Sequence, residues 1–291
     1  MGKSSNPTFA GDKEFEKIHL KEKFSYGLGD VACNVVYALT TSLLIYFYTN
    51  VVGISAAMIG TIMLFSRFFD GISDVLIGHL VDRTHSKHGK SRAWILWMMI
   101  PYGIAAILLF TVPPATPIVK GIYVFITYNF CNTICYTALN LPYGSLSAMM
   151  TRISRERDML SITRMALSPI GKIISISATL PLIKVLGDNQ AAWIKVMSIW
   201  AVLAFILLML CFTQCKETVV IEARKKVSKV PIIKSLKCLF CNKYFWMAMT
   251  IWMMQCIIQM VTGTILPYYC KYIFHDDSLF SILLLCEVIT T

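Results

Sequence analysis

Long apolar stretches separated by short charged segments dominate the chain. An α-helix needs about 20 mostly apolar residues to cross a bilayer, and several stretches meet that length. They predict membrane spans at 24–51, 55–81, 93–112, 119–149, 162–186, 192–214 and 245–273, with an eighth span beginning near 278. The pattern therefore predicts an all-α membrane protein.

Polar residues inside these spans recur at helical spacing, so that each set forms a stripe on one face. The first span carries Tyr26, Asp30, Asn34, Tyr37, Thr41 and Tyr48; the fourth carries Asn129, Thr133, Tyr136, Asn140 and Tyr143; and the fifth carries Arg164, Ser168, Lys172, Ser175 and Thr179. The third and sixth spans are almost purely apolar. Polar groups at membrane depth need protein or water around them. Two three-helix repeats around a wet cavity are therefore predicted, which is typical of transporters.

The second span contains the segment RFFDGISD, in which Arg67, Asp70 and Asp74 fall on one face. At 100° per residue the three side chains lie within an arc of about 60°. Two carboxylates one turn apart repel each other in a low dielectric, and a bound Na⁺, Li⁺ or H⁺ relieves that repulsion. Hard cations take oxygen ligands. The alternative is a structural Arg67–Asp70 pair beside a neutral Asp74, although intramembrane carboxylates generally indicate function.

Composition and charge agree with a membrane protein. Hydrophobic residues make up 56% of the chain and charged residues 15%, against about 25% charged in soluble domains. Of the 27 Lys and Arg residues, five lie in 1–23, four in 82–92, three in 150–161 and eight in 215–244, whereas four lie in the intervening loops and helix ends. The positive-inside rule places the N-terminus and the basic loops in the cytoplasm. Since no soluble domain collects the basic residues, a nucleic-acid partner is not expected.

The segments predict a four-part organisation. Residues 1–23 form a cytoplasmic tail, 24–214 a six-helix transmembrane domain, 215–244 a cytoplasmic linker, and 245–291 helix 7 with part of helix 8. The tail lacks an apolar h-region, so no cleaved signal peptide is expected. The sequence stops inside an apolar run, which we interpret as a truncated second half.

Several motifs resemble the glycoside–pentoside–hexuronide:cation symporters, the melibiose permease-like branch of the major facilitator superfamily. The resemblance runs from about residue 23 to 275, and is carried by FSYGLGDVACN, RFFDGISDVLIGHLVDRT, GKSRAWIL and YTALNLPYGSL. It implies a bundle with six helices in each half, and Asp82, Arg83 and Gly89 resemble the superfamily's structural or gating signature between helices 2 and 3.

The resemblance implies a cation site at Asp70 and Asp74, with Thr137 as a further contributor and Arg67 as a nearby structural partner. Sodium would then bind to the two carboxylates. The coupling ion is expected to be Na⁺, Li⁺ or H⁺, and no other cofactor is expected.

The resemblance also implies a sugar site. Asn34 and Asn140 stand where melibiose permease has two aspartates, and Gly144 stands where an aromatic platform is expected, so a melibiose-like substrate is disfavoured. Arg164 matches a sugar-contacting arginine of the family.

Three more residues are assigned to the sugar site. Tyr37 lies on the stripe of Asn34, and Asp30 either shapes the site or pairs with Arg164. Lys172 and Arg164 lie on one helix, where they either favour a uronate or are paired internally.

These observations predict a carrier that is not an enzyme, since no catalytic constellation is present. We expect a plasma-membrane, multi-pass monomer that takes up a glycoside, pentoside or hexuronide with a cation by alternating access. The alternatives are a major facilitator carrier of another substrate, such as a lysolipid, and a non-transporting membrane sensor.

Overall fold

The computed structural model describes residues 18–84, 86–187, 189–218 and 238–269, together with residue 273. The chain divides into two compact units, Met1–Val220 and Ile221–Thr291. Regular structure in the described part of the chain is helical throughout.

The first unit contains six long helices in its described residues. They are α1 (Leu20–Ser42), α2 (Ala56–Arg83), α3 (Ser91–Phe110), α4 (Pro117–Met150), α5 (Ser154–Val185) and α6 (Gln190–Gln214), and α7 (Lys243–Tyr269) belongs to the second unit. A short helix and a π-helical turn, Leu44–Tyr46 and Phe47–Val51, continue α1 after a bend of 43°. Helices α2 to α6 are each long and apolar enough to cross a membrane, as is α1 with its continuation. The predicted all-α membrane protein is thereby confirmed.

Two helices begin at least one full turn earlier than the apolar pattern predicts. Helix α5 starts at Ser154 rather than near 162, and α1 starts at Leu20 rather than 24. The added turns are charged, and Lys23 Nζ on α1 lies 2.7 Å from Glu156 Oε2 on α5. The two helices therefore continue past their apolar stretches. The tail 1–17, most of the predicted linker and the predicted helix 8 lie outside the described residues.

Local sequence signals set several helix starts. Ser55 accepts a hydrogen bond from the Met58 amide at 3.4 Å before α2, and Asn189 Oδ1 accepts one from the Ala192 amide at 2.9 Å before α6. Such N-caps satisfy amides that lack an intrahelical partner. Pro117 is the first residue of α4, where its missing N–H costs nothing.

Helix α1 approaches its neighbours closely at glycines. A Cβ on Gly27 would lie 2.6 Å from Leu167 Cδ1 of α5, and one on Gly29 would lie 2.7 Å from the ring of Tyr143 on α4. On α5, a Cβ on Gly171 would lie 2.5 Å from Val31 Cγ1. Small residues let membrane helices approach backbone to backbone, and this contact brings Asp30 next to α5.

The two most apolar helices, α3 and α6, pack against each other, and α6 also packs against α1. At one end of this layer Phe110 stacks on Trp193, with ring centroids 5.7 Å apart, and Phe47 packs against both rings. Among α2 to α6, helices α2 and α5 have the smallest buried share of residues in their most apolar stretch. The expectation that α3 and α6 face lipid stays a prediction, since it depends on the second unit.

The carboxylate of Glu217, near the end of the first unit, binds the N-terminus of α3. We call this contact the Glu217 clamp. Glu217 accepts hydrogen bonds from the backbone amides of Lys90, Ser91 and Arg92 at 2.8–2.9 Å. A negative charge at a helix N-terminus is favourable. Gly89, just before these amides, has φ +98°, and a Cβ there would lie 2.5 Å from the Glu217 carboxyl carbon.

The clamp lies beside two of the three residues in the predicted signature between helices 2 and 3. Asp82 near the end of α2 pairs with Lys90 Nζ at 2.7 Å, and Gly89 supplies the backbone turn. Arg83 is the last residue of α2. The guanidinium of Arg92 donates to the carbonyl of Phe212 at 2.6 Å and lies over its ring. Polar contacts therefore join the end of α2, the start of α3 and the end of α6 at this end of the first unit.

Candidate functional site

The carboxylates of α2 face hydroxyl groups of α4. Thr137 Oγ1 donates to Asp74 Oδ1 at 3.1 Å, and Thr133 Oγ1 donates to Asp70 Oδ1. Asp70 and Asp74 are four residues apart on α2, and Thr133 and Thr137 are four residues apart on α4. The two contacts therefore lie one turn apart. Ser73 Oγ also donates to the Thr133 carbonyl at 3.0 Å. Four oxygen-bearing side chains thus converge between two helices, a donor set suited to a hard cation.

A π-helical segment, Asn129–Tyr136, interrupts α4 at this level. Such segments occur often at functional sites, because the extra residue re-aims the side chains that follow. This one contains Thr133 and Asn129. Asn129 Nδ2 donates to Ser66 Oγ on α2 at 2.9 Å and to the Phe125 carbonyl at 2.8 Å. Thr133 lies on the predicted polar stripe of this span, although the sequence pattern assigns it no role in the predicted cation site.

Arg67 lies near the carboxylates without enclosing them. Its Nη1 is 3.5 Å from Asp70 Oδ2, and its side chain is 63% exposed, whereas that of Asp70 is 25% exposed. A long, exposed ion pair contributes little to stability. Asp70, Asp74 and Arg67 together carry a formal charge of −1, so the group retains an excess negative charge.

A cavity of about 380 Å³ opens onto the carboxylates. Its lining consists of Tyr37, Arg67, Asp70, Asp74, Tyr128, Asn132, Tyr136, Thr137, Asn140 and Leu141. Tyr37 of α1 stacks on Tyr136 of α4 with ring centroids 4.6 Å apart. The Nδ2 atom of Asn132 is buried without a hydrogen-bond partner among the described residues. Aromatic faces and amide groups therefore line the same cavity as the two carboxylates.

A second polar cluster joins α1 to α5. Arg164 Nε lies 3.4 Å from Asp30 Oδ1, and Asn34 Nδ2 donates to Asp30 Oδ2 at 3.0 Å. The Asp30 side chain is 8% exposed and that of Arg164 is 39% exposed. The guanidinium also lies 5.8 Å from the ring centre of Tyr143. Of the two roles that the sequence left open for Asp30, the geometry matches pairing with Arg164.

The residues assigned to the sugar site therefore fall into two groups. Asp30, Asn34 and Arg164 contact one another, whereas Asn140 and Tyr37 line the cavity with the carboxylates. No hydrogen bond or ion pair joins the two groups within the described ranges.

Lys172 and Gly144 stand apart from both groups. Lys172 is exposed on α5, and among the described residues no ion pair engages it. Apart from its own turn of helix, no described atom lies within 4 Å of the position that a Cβ on Gly144 would occupy. The place where the resemblance expects an aromatic side chain is thus open in this part of the structure.

Several curated transport proteins are similar to this chain in sequence. The putative glycoside/cation symporter YagG of Escherichia coli K12 is 35% identical over 265 residues, covering 90% of this chain and 57% of that protein. The isoprimeverose transporter of Lactiplantibacillus pentosus is 33% identical, covering 90% of this chain and 55% of that protein. A glucuronide carrier protein homolog of E. coli K12 is 29% identical, with 90% and 57% covered.

The chain thus spans about half the length of the curated relatives that it matches. The family model described as MFS/sugar transport protein matches residues 25–291, which confirms the resemblance to sugar symporters drawn from the motifs. The apolar helices and the family together make this an integral, multi-pass membrane protein. The chain belongs to the MFS/sugar transport protein family.

Proposed function

We propose that this chain forms the cation- and sugar-binding part of a symporter that takes up a sugar together with Na⁺, Li⁺ or H⁺. One observation carries the proposal: the paired carboxylates Asp70 and Asp74 line the same cavity as Tyr37 and Asn140. A cation bound to the carboxylates would therefore lie next to a sugar held by aromatic and amide groups. Such proximity lets each ligand change the affinity of the other.

The charge of the carboxylate group supports a monovalent ion. The formal charge of −1 on Asp70, Asp74 and Arg67 becomes zero when one Na⁺ or H⁺ binds. The oxygens of Thr137 and of the carboxylates suit Na⁺ or Li⁺, and a proton needs only one carboxylate oxygen. We therefore expect Asp70, Asp74 and Thr137 to hold the ion.

The substrate side supports an uncharged glycoside or pentoside. Asn140 offers both a donor and an acceptor to sugar hydroxyls, and Tyr37 offers an aromatic face. The charge of Arg164 is offset by Asp30, with Asn34 bound to the same carboxylate, so we assign these three to shaping the site. Lys172, exposed on α5, lies outside the lining of this cavity, which disfavours recognition of a uronate through it. A lysolipid would fit this polar lining less well.

The complete carrier, on this proposal, pairs this first half with a second half and works by alternating access. It would be a monomer of the plasma membrane with its N-terminus in the cytoplasm. The distribution of Lys and Arg supports that orientation. Labelling of a Lys87→Cys variant by a membrane-impermeant reagent added outside cells would contradict it, whereas a Lys120→Cys variant should be labelled.

Uptake by the complete carrier tests the proposed function. Vesicles would be supplied with radiolabelled neutral pentosides, neutral glycosides and a glucuronide, with and without a Na⁺ or proton gradient. We expect one neutral sugar to accumulate only when a cation gradient is present, because the ion and the sugar share one cavity. Accumulation that is independent of every cation gradient would contradict cation-coupled uptake. Preferential uptake of the glucuronide would contradict the proposal that the substrate is uncharged.

A further inference from the structure

Thr133 is a buried hydroxyl with two possible acceptors. The residue is 3% exposed, and its Oγ1 lies within hydrogen-bond distance of Asp70 Oδ1 and, at 3.2 Å, of Asn129 Oδ1. By contrast, Thr137 hydrogen bonds through its side chain to Asp74 alone among the described residues. Thr133 can therefore give up its bond to Asp70 and still donate its proton.

The second acceptor is held in a fixed direction. Asn129 Nδ2 donates to Ser66 Oγ at 2.9 Å and to the Phe125 carbonyl at 2.8 Å, and Ser66 Oγ donates in turn to the Ile62 carbonyl at 2.9 Å. If the Asn129 side-chain amide were rotated by 180°, its NH₂ group would point at Thr133. The hydrogen bonds from that group to Ser66 Oγ and to the Phe125 carbonyl would then be lost. The network therefore keeps the Asn129 carbonyl oxygen directed at Thr133.

This arrangement matters because a hydroxyl can bind a cation only through its lone pairs. A hydroxyl whose proton points at a carboxylate keeps that carboxylate oxygen occupied and places its proton where an ion would sit. Once the Thr133 proton turns to Asn129, the oxygens of both Thr133 and Asp70 become available. The change requires only a rotation of the hydroxyl about the bond between Cβ and Oγ1.

We propose that Thr133 is a further ligand of the coupling cation, and that Asn129 positions it by accepting its proton when the ion binds. The proposal rests on the proposed cation-coupled function and extends its ligand set from Asp70, Asp74 and Thr137. It also makes the site selective. A neutral oxygen ligand strengthens the binding of Na⁺ or Li⁺, whereas a proton needs no such ligand.

Sugar binding by the complete carrier, measured as a function of cation concentration, tests this assignment. Thr133→Val keeps the shape of the side chain and removes the hydroxyl. We expect the Na⁺ or Li⁺ concentration for half-maximal stimulation to rise at least about tenfold, equivalent to about 1.4 kcal/mol. Proton-stimulated binding should not weaken, and sugar affinity at saturating cation should stay near its wild-type value. Asn129→Leu should shift the Na⁺ or Li⁺ response in the same direction.

Control variants separate ligand loss from misfolding. Thr133→Ser retains the hydroxyl and should stay near wild type, as should Thr127→Val, which removes a buried hydroxyl of α4 that lies within hydrogen-bond distance of the Tyr123 and Val124 carbonyls. Should Thr133→Val fold poorly, Thr133→Ala removes the same oxygen without the added methyl, and the same shift is expected.

The outcomes distinguish the two hypotheses. A wild-type carrier whose sugar binding responds to no cation would overturn the proposed function itself. A wild type stimulated by Na⁺ or Li⁺, with an unchanged response in Thr133→Val and Thr133→Ala, would overturn the ligand role alone. The ligand role would also fail if the wild type responded only to protons, or if Thr133→Val weakened the Na⁺ and proton responses equally.

Discussion

Replacing Asp70 or Asp74 with asparagine in the complete carrier is expected to abolish cation-stimulated sugar binding. Asparagine keeps the size of the side chain and one oxygen, but it removes the charge that attracts the ion. Coupling between two sites is typically about 1–3 kcal/mol, or roughly 5–150-fold in affinity. Each variant should lose that factor and keep the weaker, cation-independent binding, because Tyr37 and Asn140 lie on other helices.

Isothermal titration of sugar binding with and without Na⁺ measures this effect directly. By reciprocity, saturating sugar should raise cation affinity in the wild type by the same factor, and that increase should disappear in both variants. Asp158→Asn, which removes an exposed carboxylate on the charged first turns of α5, is the matched control and should behave as the wild type. Full Na⁺ and proton stimulation in both Asp70→Asn and Asp74→Asn would make the pair a structural feature.

Replacing Arg164 with glutamine should destabilise the carrier, because it leaves the nearly buried Asp30 without a counter-charge. Hydrogen bonds to charged groups contribute about 1.5–3 kcal/mol, and breaking a fully buried pair costs about 3–5 kcal/mol. Since the Arg164 side chain is 39% exposed, we expect the free energy of unfolding to fall by about 1.5–3 kcal/mol, the lower of these two ranges. Thermal unfolding in detergent measures it.

The double variant Asp30→Asn with Arg164→Gln distinguishes a structural pair from a sugar ligand. It removes both charges, and Asn34 can still donate to the side-chain oxygen at position 30. Stability should return toward the wild-type value, in the manner of a double-mutant cycle with strong coupling. Arg157→Gln, an exposed arginine on the same helix, should have little effect. A double variant that is stable but binds no sugar would assign Arg164 to the substrate instead.

Much of the fold could be read from the sequence, because membrane helices impose a simple pattern. Apolar length predicted each described helix of the first unit, and polar stripes identified α1, α2, α4 and α5 as the helices that carry the site. Apolar length predicts too late a start for α5, because its first turns are charged and apolar length alone cannot detect a helix that extends beyond the bilayer. Lys23 of α1 and Glu156 of α5 form an ion pair. Nothing in the sequence around either residue predicts that pairing.

The contacts between helices were harder to predict. Spacing of four residues brings Asn34 next to Asp30 on α1, but the choice of Arg164 as partner depends on how closely α1 and α5 approach at Gly27 and Gly171. Thr133 lies on the expected stripe, yet its contact with Asp70 depends on the π-helical turn of α4, which shifts the phase of the helix. Its spacing of four residues from Thr137, matching that of Asp70 and Asp74, is the signal that could have revealed it.

The Glu217 clamp makes positions 89 and 217 a mutationally coupled pair. Alanine at position 89 meets two separate obstacles, a left-handed backbone that disfavours any side chain and a carboxyl group 2.5 Å from the new methyl carbon. Shortening Glu217 removes only the second obstacle. The effects on stability of substitutions at these positions, 128 apart in the chain, are thus non-additive. The cost of a substitution at position 89 depends on which residue occupies position 217, and the reverse also holds.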